Sequence, residues 1–195
     1  MSNDLRKLFE EKKALLNGHF LLSSGLHSDT YFQSALILQY PDTAEKLAQE
    51  LRKLISGKLG ADAIDLVISP AMGGIVIGQE VGRALGRRAI FCERVEGKLV
   101  LRRGFKIEKG EKCVVVEDVI TTGLSTGEVV EVVKSLGGDV VAVASLVDRS
   151  GGKVDFGVPR FSLLSLEVKS YKPEECPLCK AGQPVIKPGS RTKTK

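Results

Sequence analysis

The chain has 195 residues, 43% hydrophobic and 27% charged, with a formal charge of +5. That is one ordinary folded domain and not a disordered chain. The longest run without Asp, Glu, Lys, Arg or His, residues 66–79, holds a Pro and three Gly, too short and broken to span a membrane, and acidic and basic residues fill the N-terminus where an export signal would need an apolar core. Cytoplasm and no membrane partner are therefore expected.

In chain order, Leu5, Leu8, Phe9, Leu15 and Leu16 fall on roughly one helical face. The spacing predicts a helix over 4–17, stopped by Asn17-Gly18. Pro41-Asp42 opens a second helix, with Ala44, Leu47, Ala48, Leu51, Leu54 and Ile55 at the 3.6-residue period. Residues 64–69 read as a buried strand, 73–86 as a helix and 88–92 as a strand. The charged stretch 93–110, with Gly97, Gly104 and Gly110, reads as a mobile loop or hairpin. Residues 112–117 form a third strand, 124–136 a helix ended by Gly137-Gly138, 139–147 a fourth strand and 161–166 a fifth. Strands apolar throughout and alternating with helices predict an α/β fold, a mostly parallel sheet covered on both faces. Such sheets bind ligands beyond the carboxyl ends of their strands. The ends after Ser69, Val116 and Val147 therefore draw attention.

The strongest site candidate starts at the second of these ends. Four residues from Cys113 to Val116 run into two adjacent carboxylates, Glu117 and Asp118. Val119, Ile120, Thr121, Thr122, Gly123, Leu124 and Ser125 then lead into a helix. Free N–H groups at a helix start, hydroxyl donors and a close-approaching Gly can cradle a phosphate. Carboxylates repel phosphate, but they accept hydrogen bonds from sugar hydroxyls or help hold magnesium. Together these features describe a ribose 5-phosphate site; the bland reading is a capped helix behind two solvated acids. No Walker A loop or G-x-G-x-x-G is present. After Ser69, the segment Pro70-Ala71-Met72-Gly73-Gly74 is a second anion-binding candidate, or a plain tight turn.

Four cysteines are present. Cys92 and Cys113 sit in apolar runs and read as core thiols. Cys176 and Cys179 form C-P-L-C, which fits a local disulfide, a metal half site completed by a second subunit, or two thiols in a tight turn. His19 and His27 read as structural. The basic end, 187–195, reads as a solvated mobile tail and not a nucleic-acid arm; with no Trp and 5% aromatics, no nucleic-acid partner is expected.

Residues 114–126 resemble the phosphoribosyl pyrophosphate (PRPP) signature of the type I phosphoribosyltransferases, and further segments resemble the orotate phosphoribosyltransferase family. These are residues 18–25 with 28–33, which resemble its N-terminal hood, and Val147-Asp148-Arg149. The resemblance covers roughly residues 1–170. It implies a type I phosphoribosyltransferase-like fold in one domain, 1–195, with a small hood made of about residues 1–40 and the C-terminal segment. It implies that Glu117 and Asp118 hold the ribose hydroxyls and that residues 119–125 wrap the 5-phosphate. Ala71, Met72 and Gly73 would bind pyrophosphate across a cis Ala71–Met72 bond. Arg149, Tyr31, Phe32 and Thr121 would contact orotate, with Arg149 gripping its carboxylate. The loop 93–104 would close over a neighbouring subunit's site, with Arg94, Lys98 and Arg102 against pyrophosphate. Mg²⁺, held mainly by PRPP with Asp118 contributing through water, and a homodimer with shared sites follow. Ser23 and Gly73 stand where many members have Lys, and the loop lacks the family's usual His. The implied reaction transfers the phosphoribosyl group from PRPP to orotate. Its alternatives are transfer to another base, or a PRPP-sensing regulator that binds nucleic acid.

Overall fold

The computed structural model describes residues 2–22, 24–166 and 168–188. Two sheets organise the chain. The larger is built from β3 (Leu66–Pro70), β4 (Arg88–Val95), β5 (Lys98–Leu101), β6 (Lys112–Ile120), β7 (Asp139–Asp148) and β8 (Arg160–Ser165), in the order β5-β4-β3-β6-β7-β8. All neighbours are parallel except β4 and β5, which form an antiparallel hairpin at one edge. Alternate residues feed two cores. Val67, Val114, Val116, Ala142 and Ala144 face one side, and Leu66, Ile68, Cys113, Val115 and Val143 the other. Both faces are covered, which is why β3, β6 and β7 carry apolar runs through their central stretches.

Helix α3 (Pro41–Leu59) lays Leu47, Leu51 and Ile55 on the first core. Helix α4 (Gly74–Leu85) packs unusually close to the sheet. A Cβ at Gly78 would lie 2.6 Å from Ser69 Oγ, and one at Gly82 would lie 2.8 Å from Ala89 Cβ. Helix α5 (Leu124–Ser135) covers the opposite face through Val129, Val130 and Val133.

The smaller sheet is the hood. Strands β1 (Leu15–Leu21) and β2 (His27–Phe32) pair antiparallel, and β9 (Ser170–Tyr171) adds to β2 from the far end of the chain. The expected helix over 4–17 is corrected here. Helix α1 (Ser2–Glu11) ends early, Lys13 takes a φ of 56°, and Leu15 pairs with Phe32. Leu15 and Leu16 satisfy the strand as well as the helical period, and pairing with β2 decides between them. Asn17-Gly18 is no helix stop; it lies at a register shift inside β1. A short helix α2 (Ala35–Leu38) and, after β9, a turn into α6 (Pro177–Lys180) were not anticipated. Among the described residues, no helix is long and apolar enough to cross a membrane.

Candidate active site

In chain order the sheet grows from β3 to β4 on one side, then jumps to β6 on the other. Strand order reverses between β3 and β6, where an open α/β sheet leaves a crevice beyond its strand ends. The two strongest sequence candidates meet there. The turn after β3 carries Ala71, Met72 and Gly73, with the Ala71–Met72 peptide cis. The acids come from β6, which runs to Ile120 and still pairs with β7 at Val119 and Ile120. Glu117 and Asp118 are thus rigid strand residues and not members of a loop.

The acids have unlike surroundings. Glu117 is 7% exposed. Its Oε1 accepts from the Asp118 N–H at 3.2 Å and its Oε2 from Thr126 Oγ1 at 3.5 Å. Burial, then the neighbouring Asp118 carboxylate, push its pKa up to about 9. Asp118 lies against the β3 turn: a Cβ on Gly73 would come 2.6 Å from Asp118 Oδ2. A side chain at position 73 would therefore have to displace the Asp118 carboxylate. Asp118 Oδ2 also accepts from Ser34 Oγ, on the segment leaving the hood. Sequence reading missed Ser34. The contact spans 84 residues and no local pattern marks it.

Beyond Ile120, Thr121 and Thr122 are exposed and Gly123 takes a φ of 76° at the N-cap of α5. Leu124 and Ser125 form the first turn, where helical N–H groups have no intrahelical acceptor and the dipole favours an anion. Gly73→Ala should drive Asp118 away from this crevice. With PRPP in this crevice, as the resemblance implies, we expect roughly tenfold weaker PRPP binding and unchanged circular dichroism, since about 1.4 kcal/mol of lost alignment corresponds to that factor. Calorimetric titration with PRPP would check it.

Arg149 follows β7. Its Nε is buried and has no hydrogen-bond partner among the described residues. Burial pulls its pKa below the usual value, partly offset by Tyr31 and Asp29 of β2. Among the described residues Arg149 forms no salt bridge, and its neighbour Asp148 pairs instead with Arg160 at 3.3 Å. Arg149 borders a cavity of about 310 Å³ also lined by Lys153, Lys169, Ser170 and Tyr171. Phe32 is corrected: it is 7% exposed and meets Phe9 edge-on, ring centroids 5.2 Å apart, inside the first core. Adjacent strand residues face opposite ways. Tyr31 therefore lies on the other face, beside Phe20.

The 93–104 stretch is mostly the β4–β5 hairpin, whose tip overhangs the level of Pro70. Arg94 is occupied: it pairs with Glu128 at 2.6 Å and reaches Ser125 Oγ at 3.5 Å. Arg103 pairs with Glu93. Lys98 and Arg102 make no ion pair among the described residues. Lys98 lines a cavity of about 1240 Å³ that runs along α5 and touches the 121–125 loop only at 122–124. Despite its size, this cavity lacks the acid pair. Ser23 and most of the basic tail, 189–195, lie outside the described residues.

The family model described as phosphoribosyl transferase domain matches residues 42–157, the span from α3 through both crevice loops. The solved orotate phosphoribosyltransferase of Aeropyrum pernix superimposes with a TM-score of 0.68 at 28% identity, covering 84% of this chain and 94% of that one. Fold and family model together define a type I phosphoribosyltransferase. Orotate phosphoribosyltransferase of Carboxydothermus hydrogenoformans is 60% identical over 96% of this chain and 97% of its own, and that of Heliobacterium modesticaldum is 56% identical over 98% and 100%. The chain belongs to the orotate phosphoribosyltransferase family.

Proposed function

We propose that the enzyme transfers the 5-phosphoribosyl group from PRPP to orotate, giving orotidine 5'-phosphate and pyrophosphate in pyrimidine biosynthesis. The observation that carries the choice of base is Arg149, a buried guanidinium with an uncommitted Nε beside Tyr31. Orotate differs from neutral bases in bringing a carboxylate, which such a group can pair. The test is pyrophosphate release from PRPP with orotate, uracil, adenine, hypoxanthine and guanine. Release with orotate alone is expected; release with a purine alone would overturn the base assignment.

In this reading the first turn of α5 and residues 119–125 bind the 5-phosphate, and Glu117 and Asp118 hold the ribose hydroxyls. Ala71, Met72 and Gly73 present backbone to the pyrophosphate. Thr121, Tyr31 and Arg149 contact the base, and Arg149 fixes its ring. The orotate anion needs no general base. It attacks the anomeric carbon as pyrophosphate departs and positive charge grows on the sugar. Lys98 and Arg102, uncommitted on and just after the hairpin, meet the leaving group. Arg94 contributes through Ser125 once Glu128 releases it.

Two adjacent carboxylates, one pushed toward its neutral form by burial and then by the other's charge, suit a cation. Asp118 would hold Mg²⁺ through water, and the ion would neutralise pyrophosphate charge when bound with PRPP. Asp118→Asn should lower kcat/KM for PRPP by about tenfold, equivalent to roughly 1.4 kcal/mol, with the fold intact. Steady-state kinetics at varied PRPP would show it, and unchanged kinetics would remove Asp118 from the site.

We further read the chain as one domain, 1–195, in which the hood and the C-terminal segment cap the sheet. A cytoplasmic homodimer without nucleic-acid partners fits best. Met72 is 83% and Leu124 66% exposed, and both flank the crevice, where a second subunit would cover them.

A further inference from the structure

The hood and the C-terminal segment meet at four side chains that the transfer reaction does not use. His19 comes from β1 and His27 from the start of β2. Cys176 is the N-cap of α6 and Cys179 lies within its single turn. Their ligand atoms all lie within 4.8 Å of one another. His19 Nε2 lies 2.8 Å from His27 Nδ1, 3.5 Å from Cys176 Sγ and 3.6 Å from Cys179 Sγ, and Cys179 Sγ is 3.2 Å from His27 Nδ1. Bonds of about 2.0–2.1 Å to nitrogen and 2.3 Å to sulfur at tetrahedral angles give edges of about 3.3–3.8 Å between donor atoms. The cluster is close to that size.

Hydrogen bonding alone does not account for this arrangement. His19 Nδ1 lies 2.8 Å from the Gln183 carbonyl oxygen, which can only accept. The proton of neutral His19 is thus on Nδ1, and Nε2 presents a bare lone pair. Three donors cannot share one lone pair, yet His27 and both thiols converge on it. A cation satisfies all four groups at once. The carbonyl bond on the far nitrogen is the orienting contact that metal-bound histidines commonly have. His19 and His27 are 3% and 7% exposed and Cys176 is fully buried, so the centre is shielded while Cys179 remains accessible.

We propose that His19, His27, Cys176 and Cys179 form a structural zinc site that fastens the C-terminal segment to the hood. The paired donors Cys-x-x-Cys and two imidazoles in a closed tetrahedron select Zn²⁺ over the oxygen-seeking Mg²⁺ of the crevice. On binding, each thiol gives its proton to solvent; nothing is oxidised or reduced. The ligands lie up to 160 residues apart. The site therefore closes a long loop at the place where Ile186 also bonds both ways with β1, from its N–H to the His19 carbonyl and from the Leu21 N–H to its own carbonyl. It holds β9 on β2, and β9 supplies Ser170 and Tyr171 to the cavity beside Arg149. Of the readings open from sequence, the metal half site is the one adopted, completed within the same chain and not by a second subunit.

The test uses the full chain. Purified protein should contain stoichiometric zinc by mass spectrometry. After exchange into Co²⁺, it should show the intense visible bands of a tetrahedral centre and thiolate-to-cobalt charge transfer. Cys179→Ser, chosen because Cys179 is exposed, should lose the zinc and these bands, whereas Cys92→Ala in the sheet core should keep both. If Cys179→Ser fails to fold, Cys179→His should retain zinc with weaker charge transfer, since one thiolate remains. Metal-free protein whose cobalt spectrum matches that of Cys179→Ser would overturn the proposal. So would a Cys176–Cys179 disulfide in protein purified under reducing conditions. None of these readouts depends on which base the enzyme uses.

Discussion

Arg149→Ala should raise the KM for orotate on the order of 10–100-fold and leave the KM for PRPP nearly unchanged. The magnitude follows from losing hydrogen bonds between charged groups, about 1.5–3 kcal/mol for such an interaction. The selectivity follows from position. Arg149 lies past β7 against the hood strand β2, whereas the acid pair lies on β6 with the 121–125 loop after it. In the free enzyme the guanidinium is already desolvated and its Nε has no partner. The cost of burying it is therefore met before orotate arrives, and the carboxylate gains a donor stripped of water. Arg149→Lys should recover little, because an ammonium cannot reproduce the planar fork. Steady-state kinetics with each substrate varied in turn would decide the matter. Equal effects on both KM values would break the assignment, and so would full rescue by Lys.

How much of this was legible in the sequence depends on the distance between cooperating residues. The candidate phosphate site stood out because its parts are contiguous: an apolar strand, two acids, a hydroxyl-rich turn and a helix start. The parallel sheet was readable because both faces are buried and the central strands carry unbroken apolar runs. The strand order was not visible; only the fold shows that the β3 turn and the β6 acids face each other. Ser34 and Asp118 are 84 residues apart, and nothing in either neighbourhood announces the contact. Each member of the His19–His27–Cys176–Cys179 cluster drew separate notice in the sequence. Their convergence depends on β9 returning to the hood. Phe32 shows the opposite limit. Tyr31-Phe32 looked like a base-contacting pair, but strand alternation sends one ring outward and the other into the core against Phe9.

Glu117→Gln should move stability and activity in opposite directions. The unfolded chain releases this proton near 4.5 and the folded one at about 9. Between those values the folded state holds a proton that the unfolded state has lost. Rising pH therefore weakens the free enzyme by about 1.4 kcal/mol per pH unit from this group alone, levelling off above the folded value. Below pH 4.5 both states are protonated and the group costs nothing. Gln fills the same space without an ionisation to suppress. Ligand-free Glu117→Gln should thus match the wild type in Tm at acidic pH and exceed it increasingly as pH approaches 9. Above pH 9, where Glu117 is ionised, the variant's kcat/KM for PRPP should fall roughly 10–100-fold against the wild type, since an amide cannot supply the charge that a sugar gaining positive character draws upon. A buried acid kept only for packing or hydrogen bonding to Thr126 would give a different pattern. Its replacement would lower Tm at every pH, and catalysis would fall only through loss of folded protein. Tm measured against pH for both forms, beside kinetics on the folded fraction, separates these cases. A gain in stability together with a loss in turnover would identify Glu117 as a group held against its own preference because the reaction requires it.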